Sequence, residues 1–194
     1  IERPSLTDWP KLILYGFWLA WLAWDETIQI QPRNTNKLAC GPSTNYKRLA
    51  LRPLAINDVS LVIEMFTDEQ VMQYAGGTIP KKKIVGEMQM YIRRGGNGCI
   101  GVWCMCDLAT GERLGTTALT PLPVDKGDTD WGQLVEDQLP VGEIEIGYFL
   151  KRSAWGNGYA TEAVERILRF AFEASPLEKV VAVIEPENIG SRRI

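Results

Sequence analysis

The sequence predicts an α/β protein in which one mixed sheet carries helices on both of its faces. Two strand patterns, Cys99–Asp107 and Leu114–Leu119, are joined by a short turn at Ala109–Glu112, which indicates an antiparallel hairpin. A strand, a helix and another strand follow in the last third of the chain, and such a crossover makes its two strands parallel. The hairpin and the crossover together predict one sheet with both antiparallel and parallel pairs. Further helical patterns precede the hairpin, and we expect these helices to pack against the sheet.

Composition and charge narrow the classes of function. Of the 194 residues, 45% are hydrophobic and 23% are charged, an ordinary globular balance, and the net charge is −3. Without a basic excess to neutralise phosphates, we expect no nucleic-acid partner. Histidine is absent, which excludes catalysis by Ser-His-Asp, Cys-His or histidine acid–base groups. A catalyst here must use carboxylate, hydroxyl, thiol, amine or bound water.

The four cysteines predict neither a metal centre nor a redox motif. Cys40, Cys99, Cys104 and Cys106 form no Cys-x-x-Cys pair, and histidine is missing as a second ligand type. We expect small packing side chains in a reducing compartment, and therefore a cytoplasmic protein.

Residues 1–45 differ from the rest and are predicted to be an extension and linker. Leu12–Trp24 is apolar throughout but shorter than the ~20 residues that span a bilayer. No Ala-x-Ala site follows it, so an interfacial helix or docking segment is favoured over a signal peptide, and we expect no membrane protein. Gln31–Asn45 is rich in turn formers. We expect the apolar segment to pack on its own domain or on a second copy, the latter giving a homo-oligomer.

The remaining residues, 46–194, are predicted to form one compact domain. Alternation predicts a strand at Arg48–Leu54, and helical spacing with capping residues predicts three helices, starting at Asn57 or Asp58, at Thr67–Glu69 and at Pro80, the last running to Arg94. After the hairpin come a polar loop at Pro121–Val141, a strand at Glu143–Leu150, a helix at Gly158–Glu173, a strand at Lys179–Ile184 and the start of a helix at Glu187–Ile194.

The turn Trp155–Ala160 (WGNGYA) connects the strand to the long helix and is the most informative motif. Glycines at such a turn let the backbone approach a ligand, and the N–H groups that open a helix form an anion site suited to a pyrophosphate. Glu162 and Arg166 are spaced as an ion pair on the wet face of this helix. A dinucleotide motif would need glycine at Thr161, and the P-loop Gly-Lys-Ser/Thr is absent. The alternative is a tight turn that binds no ligand.

The segment W-G-N-G-Y-A-T-E-A, following E-I-G-Y, resembles the acetyl-CoA-binding segment of GNAT acetyltransferases. It is most similar to the ribosomal-protein alanine N-acetyltransferase (RimJ/RimL-like) branch. Glu185–Ser191 (EPENIGS) resembles the Asn-x-x-Ser signature of that branch, and the resemblance covers about Tyr46–Ile194. It implies a GNAT-like acyl-CoA N-acyltransferase fold. In this family two further strands follow that signature, so it also implies a chain lacking its C-terminal strands.

The resemblance further implies acetyl-CoA as cosubstrate, with no metal. The turn would hold the pyrophosphate through main-chain amides, and the end of the preceding strand would pair with the pantetheine arm. The residues implied in cofactor binding are Phe149, Leu150, Lys151, Ser153, Trp155, Gly156, Asn157, Gly158, Tyr159, Ala160, Thr161 and Asn188. Ser153 stands where the family often has Gln or Arg.

The implied chemistry is direct attack of an amine on the thioester, with a carboxylate acting as base. Glu145 is our preferred base and Glu143 the second candidate, since a carboxylate beside an apolar pocket has a raised pKa. Both could equally lie on a solvated strand face. Asn188 and Ser191 would orient and protonate the leaving thiolate, although an N-cap and a first-turn residue would show the same pattern.

We therefore predict an N-acetyltransferase that transfers an acetyl group from acetyl-CoA to a primary amine, either a protein N-terminus or a small molecule. The alternative is a degenerate GNAT domain that binds CoA or a protein partner without catalysis.

Overall fold

The computed structural model describes residues 26–30, 48–123 and 129–194. The strands are β1 Glu26–Ile30, β2 Leu49–Pro53, β3 Arg94–Gly95, β4 Ile100–Asp107, β5 Arg113–Pro121, β6 Ile144–Leu150 and β7 Val180–Ile184. The helices are α1 Val59–Phe66, α2 Glu69–Met72, α3 Lys81–Tyr91, α4 Tyr159–Ala174 and α5 Ile189–Arg192. No helix of these described ranges is long and apolar enough to cross a bilayer.

The described strands form one mixed sheet in the order β1-β7-β6-β5-β4-β2, with β3 pairing on β4. All its pairs are antiparallel except β6 with β7, which is parallel as the crossover through α4 predicts. Neighbouring residues of β6 contact helices on opposite faces. Phe149 packs against Phe66 of α1 with ring centroids 5.1 Å apart, whereas Leu150 packs with Ala160 and Ala163 of α4. The predicted fold class is confirmed.

Strand β1 lies within the segment that the sequence predicted to be an extension. It pairs antiparallel with β7, with Glu26 opposite Ile184 and Ile30 opposite Val180, and thereby covers that edge of the sheet. The predicted apolar helix at Leu12–Trp24 and the linker at Gln31–Asn45 lie outside the described residues.

The third helix ends at Tyr91, three residues before the predicted end at Arg94. Arg94 instead pairs with Gly101 of β4, and its guanidinium lies 3.9 Å from the centroid of the Trp103 ring. It also donates to the carbonyl of Val102 at 3.0 Å. These contacts with β4 favour the extended conformation over another helical turn.

Glu162 was predicted on the wet face of α4 and is instead buried, with 7% of its surface exposed. Its carboxylate accepts the N–H of Leu49 at 3.1 Å and both the N–H and the Nε–H of Arg48, at 3.3 and 3.1 Å. Arg166, its predicted partner, donates to the carbonyl of Leu49. The two side chains of the predicted ion pair therefore each form hydrogen bonds with the start of β2 instead.

The cysteines of β4 are packing side chains. Cys104 and Cys106 share one side of the strand, with their sulfur atoms 3.7 Å apart, and both are free thiols. Burial, together with the neighbouring Cys106, raises the pKa of Cys104 to about 12, so its thiol stays protonated at neutral pH.

Asp58 is fully buried and joins α1 to the sheet. It was a predicted cap of the first helix, but its side chain makes no capping bond there. Its carboxylate accepts two hydrogen bonds of 2.7 Å from Arg52, one of 3.3 Å from Arg113 and one of 2.9 Å from the N–H of Ala55. Burial alone would raise the pKa of Asp58, but these donors outweigh it and hold the pKa below its usual value.

We predict that Asp58→Asn lowers the free energy of unfolding at pH 7 by about 1.5–3 kcal/mol, the range for hydrogen bonds to charged groups. Because the folded pKa is lowered, this stabilisation is complete above the usual aspartate pKa. It is lost as the pH falls through the folded value, below about pH 4.

Urea unfolding of wild type and variant at pH 7 and pH 3 measures both effects. Asp137→Asn, at an exposed position, is the matched control and should change stability by less than about 0.5 kcal/mol. A difference between wild type and Asp58→Asn that stays constant down to pH 3 would contradict the assignment.

Candidate active site

A cleft opens where β6 and β7 part. Over the described residues their one register pair is Glu145 with Val181, and beyond it the strands diverge. The N–H of Lys151 donates to the carbonyl of Leu114 on β5, at 3.1 Å. Main-chain direction alternates along a strand, so the N–H and C=O of Tyr148 face β7 and hence the opening. The cleft has a volume of about 960 Å³.

The cleft runs through the sheet and is lined from both faces. Its walls come from α2 and the residues after it, β6, the loop after β5, β7, the turn before α4, α4 itself and α5. The lining residues are Gln70, Val71, Gln73, Tyr74, Ala75, Leu122, Pro123, Glu145, Ile146, Gly147, Tyr148, Phe149, Leu150, Trp155, Gly156, Ala160, Val164, Leu168, Ala182, Val183, Ile184, Glu185, Glu187, Asn188, Ile189, Gly190, Ser191, Arg192 and Ile194.

The structure brings eight of the predicted site residues to this cleft and leaves the others outside its lining. Those lining it are Glu145, Phe149, Leu150, Trp155, Gly156, Ala160, Asn188 and Ser191. Those outside are Glu143, Lys151, Ser153, Asn157, Gly158, Tyr159 and Thr161.

The turn between β6 and α4 has the geometry of an anion site. Gly156 and Gly158 both have φ of +74°, in the left-handed region that favours glycine. Gly158 is the N-cap of α4, and the first helical bond runs from the N–H of Glu162 to the carbonyl of Gly158 at 3.1 Å. The preceding N–H groups have no carbonyl one turn earlier, and the helix dipole adds positive potential to them.

The side chains of Asn157 and Tyr159 brace the turn and lie outside the cleft lining. Asn157 Nδ2 donates to the carbonyls of Ala154 and Trp155, at 3.3 and 3.0 Å. Tyr159 donates to Asp107 at 3.1 Å. Lys151 pairs with Glu112, so the side chain of this predicted cofactor residue is already engaged by a carboxylate.

The two candidate carboxylates differ in environment. The Glu143 side chain is 37% exposed and forms a surface ion pair with Lys179. Glu145 is 1% exposed and lies in the cleft wall. A carboxylate buried in a cleft wall is a candidate for proton transfer, whereas a surface ion pair is an ordinary feature of a strand end.

Asn188 and Ser191 meet at the other wall. Asn188 Oδ1 accepts the N–H of Ser191 at 3.1 Å and caps α5, as the alternative interpretation predicts. Tyr148 Oη donates to Ser191 Oγ at 2.9 Å. Burial raises the pKa of Tyr148, and the bond with Ser191 only partly opposes this, so the phenol is neutral at physiological pH.

Tyr148 was absent from the candidates drawn from the sequence. The alternation of β6 places it on the face opposite Glu145, but no local pattern ties it to a serine 43 residues later. The hydrogen bond between the hydroxyl groups of Tyr148 and Ser191 becomes apparent only when the fold brings β6 and α5 together.

Helix α2 and the nearby Tyr74 lie at the mouth of the cleft and connect its two walls. Tyr74 donates to the carbonyl of Glu187 at 3.3 Å. At the start of α2, Arg152 donates to Asp68 at 2.6 Å and to Gln70 at 3.2 Å. These contacts tie the α2 segment to both walls of the cleft.

Comparison with known proteins agrees with this architecture. The sequence model of the acetyltransferase (GNAT) domain family matches residues 48–194 of this chain. The uncharacterized protein YkkB of Bacillus subtilis is 32% identical over 149 residues, which cover 76% of this chain and 78% of that protein. The FsC-acetyl coenzyme A-N(2)-transacetylase of Aspergillus fumigatus is 23% identical over 155 residues, or 79% of this chain and 62% of that protein.

An acetyltransferase crystal structure from Agrobacterium tumefaciens has the same fold. It superposes with a TM-score of 0.59 at 24% identity, covering 83% of this chain and 84% of that one. The family match spans most of the chain and includes the turn, the parted strands and α5. This chain therefore belongs to the GNAT acetyltransferase family.

Proposed function

We propose that this protein transfers an acetyl group from acetyl-CoA to a primary amine by direct attack. The observation that carries the proposal is the parting of β6 and β7, which joins the turn at the start of α4, main-chain groups of β6 that face the opening and the buried Glu145 in one cleft. The name of the Aspergillus relative specifies acetyl coenzyme A as that protein's donor, which supports the same donor here.

In this proposal the N–H groups around Gly156 and Gly158 bind the CoA diphosphate. Their left-handed backbone and the dipole of α4 favour an anion at this point. The pantetheine arm then lies along β6, where the main-chain groups of Tyr148 face the opening. The thioester is brought between the diverging strands, close to the level of Glu145.

Residues from both walls of the cleft take part in the proton transfers of the proposed reaction. The amine nitrogen forms a bond to the acetyl carbon, the C–S bond breaks, and the ammonium proton passes to Glu145 through a water molecule. The departing thiolate takes the proton of Ser191, which Tyr148 replaces through its 2.9 Å hydrogen bond. Exchange with solvent then returns a proton to Tyr148 and removes the proton from Glu145. A neutral phenol, as the raised pKa of Tyr148 ensures, is the form able to donate.

The acceptor is a primary amine, either a protein N-terminus, as in the RimJ/RimL-like branch, or a small molecule. The test is thiol release from acetyl-CoA in the presence of an amine panel that includes N-terminal peptides, amino acids and polyamines, with products identified by mass spectrometry. Acetylation of one class at a rate well above the hydrolysis background supports the proposal. CoA binding without acetyl transfer to any amine would favour the non-catalytic alternative.

We predict that Gly158→Val weakens CoA binding by about 1–3 kcal/mol, the cost of forcing a strained backbone conformation. A β-branched residue at φ of +74° is disfavoured, so the start of α4 must shift away from the diphosphate. Calorimetric titration with CoA measures the change.

Gly98→Val is the matched control for this variant. Gly98 has φ of +85°, lies outside the cleft lining, and an added Cβ there meets no described atom within 4 Å. It carries comparable backbone strain and should leave CoA affinity unchanged. The diphosphate site would be refuted if both variants lost CoA affinity equally, or if Gly158→Val bound CoA as tightly as wild type.

We predict that Glu145→Gln lowers kcat by about 10²–10⁴-fold, the usual contribution of a general base, with little change in CoA affinity. The acidic limb of the pH–rate profile should disappear with it. Glu143→Gln, two residues earlier and just before β6, provides a matched control and should retain wild-type kcat. Loss of activity in Glu143→Gln but not in Glu145→Gln would reverse the assignment.

A further inference from the structure

We infer that Arg48 is a positioning residue that aims the main-chain N–H of Gly158 at the diphosphate of the donor. It sets donor affinity without touching the donor. The inference rests on the proposed function, because it concerns the diphosphate part of the same site. Arg48 lies outside the cleft lining, at the start of β2 and against α4.

The key contact is a hydrogen bond of 2.8 Å from Arg48 Nη1 to the carbonyl of Asn157. The peptide joining Asn157 to Gly158 is trans, so its C=O and N–H point in opposite directions. Holding the carbonyl toward Arg48 therefore turns the N–H of Gly158 away from the guanidinium. Gly156 and Ala160, on either side of this peptide, line the cleft.

The Asn157 side chain acts in the same way on the peptide that joins Trp155 to Gly156. Its Nδ2 donates to the carbonyl of Trp155 at 3.0 Å, which turns the following N–H, that of Gly156, away from Asn157. The carbonyls of Trp155 and Asn157 are thus both turned away from the anion site. A carbonyl rotated into that site would oppose the diphosphate with its negative end.

Arg48 is itself held in one orientation. Its Nε donates to the buried carboxylate of Glu162 at 3.1 Å, and its guanidinium lies 5.0 Å from the centroid of the Tyr159 ring. Tyr159 is anchored in turn by its 3.1 Å bond to Asp107. The planar guanidinium can donate to Glu162 and Asn157 together, which the single ammonium group of lysine cannot do in the same geometry.

The experiment separates positioning from charge and from folding by using two donors. Acetyl-CoA carries the diphosphate, whereas S-acetylpantetheine carries the same thioester without it. Wild type, Arg48→Met and Arg48→Lys are compared by calorimetry with CoA and by steady-state kinetics with both donors. Arg169→Met, on the exposed face of α4, is the control for loss of one positive charge.

We expect Arg48→Met to raise the Kd for CoA and the KM for acetyl-CoA by about 5- to 30-fold, as for loss of one or two charge-assisted hydrogen bonds. The kcat should be unchanged, and so should kcat/KM for S-acetylpantetheine. Arg48→Lys should lose nearly as much affinity, and Arg169→Met should lose none.

Three results would overturn the role of Arg48 alone: unchanged CoA affinity in Arg48→Met, full rescue by lysine, or equal loss with both donors. Rescue by lysine would show that charge suffices, and equal loss would show a general structural role. A wild-type protein that binds neither CoA nor acetyl-CoA would overturn the proposed function together with this inference. The calorimetric titration of wild type with CoA distinguishes this outcome from the other three.

Discussion

The parting of β6 from β7 is the constraint on which the rest of the site depends. Main-chain N–H and C=O groups need partners, and a central strand normally finds them on both sides. Here β6 keeps its antiparallel partner β5 along its whole length, whereas its described pairing with β7 is confined to the level of Glu145. Beyond that point the main-chain groups of Tyr148 face a cleft, and a ligand with amide groups of its own can complete the ladder.

The turn at the end of β6, where we propose that the diphosphate binds, depends on contacts far from the cleft. Glu162, buried in the first turn of α4, receives two main-chain N–H groups from the start of β2 and fixes Arg48 beside the turn. The same side chain therefore joins an outer strand of the sheet to the start of the helix. A rigid turn loses little entropy when an anion binds, which favours affinity through preorganisation.

The sequence predicted most of the elements, since these follow from local patterns, and its resemblance to the family directed attention to the cleft-lining Glu145. Alternation and helical spacing located β2, β4, β5, β6, α1 and α4, and the Asn-Ile-Gly-Ser spacing identified the cap of α5. Contacts between distant segments were missed because nothing periodic encodes them. Examples are the pairing of β1 with β7, the bond of Arg48 to Asn157 across 109 residues, and that of Tyr148 to Ser191 across 43. Glu162 was misassigned for the same reason, as its four-residue spacing to Arg166 fits a surface pair equally well.

Alternation along β6 also explains how one strand can serve both halves of the proposed reaction. Glu145 and Phe149 share the face that packs against α1, where Phe149 meets Phe66, and Tyr148 lies on the α4 face with Ala160 and Ala163 nearby. The proposed base and the proposed proton source therefore lie on opposite sides of the sheet. They can reach a common ligand only because β7 diverges from β6 and the cleft passes between the strands. Under the proposed function the amine approaches from the α1–α2 side and the thiol leaves toward α5, so each proton has its own route and no covalent enzyme intermediate is needed.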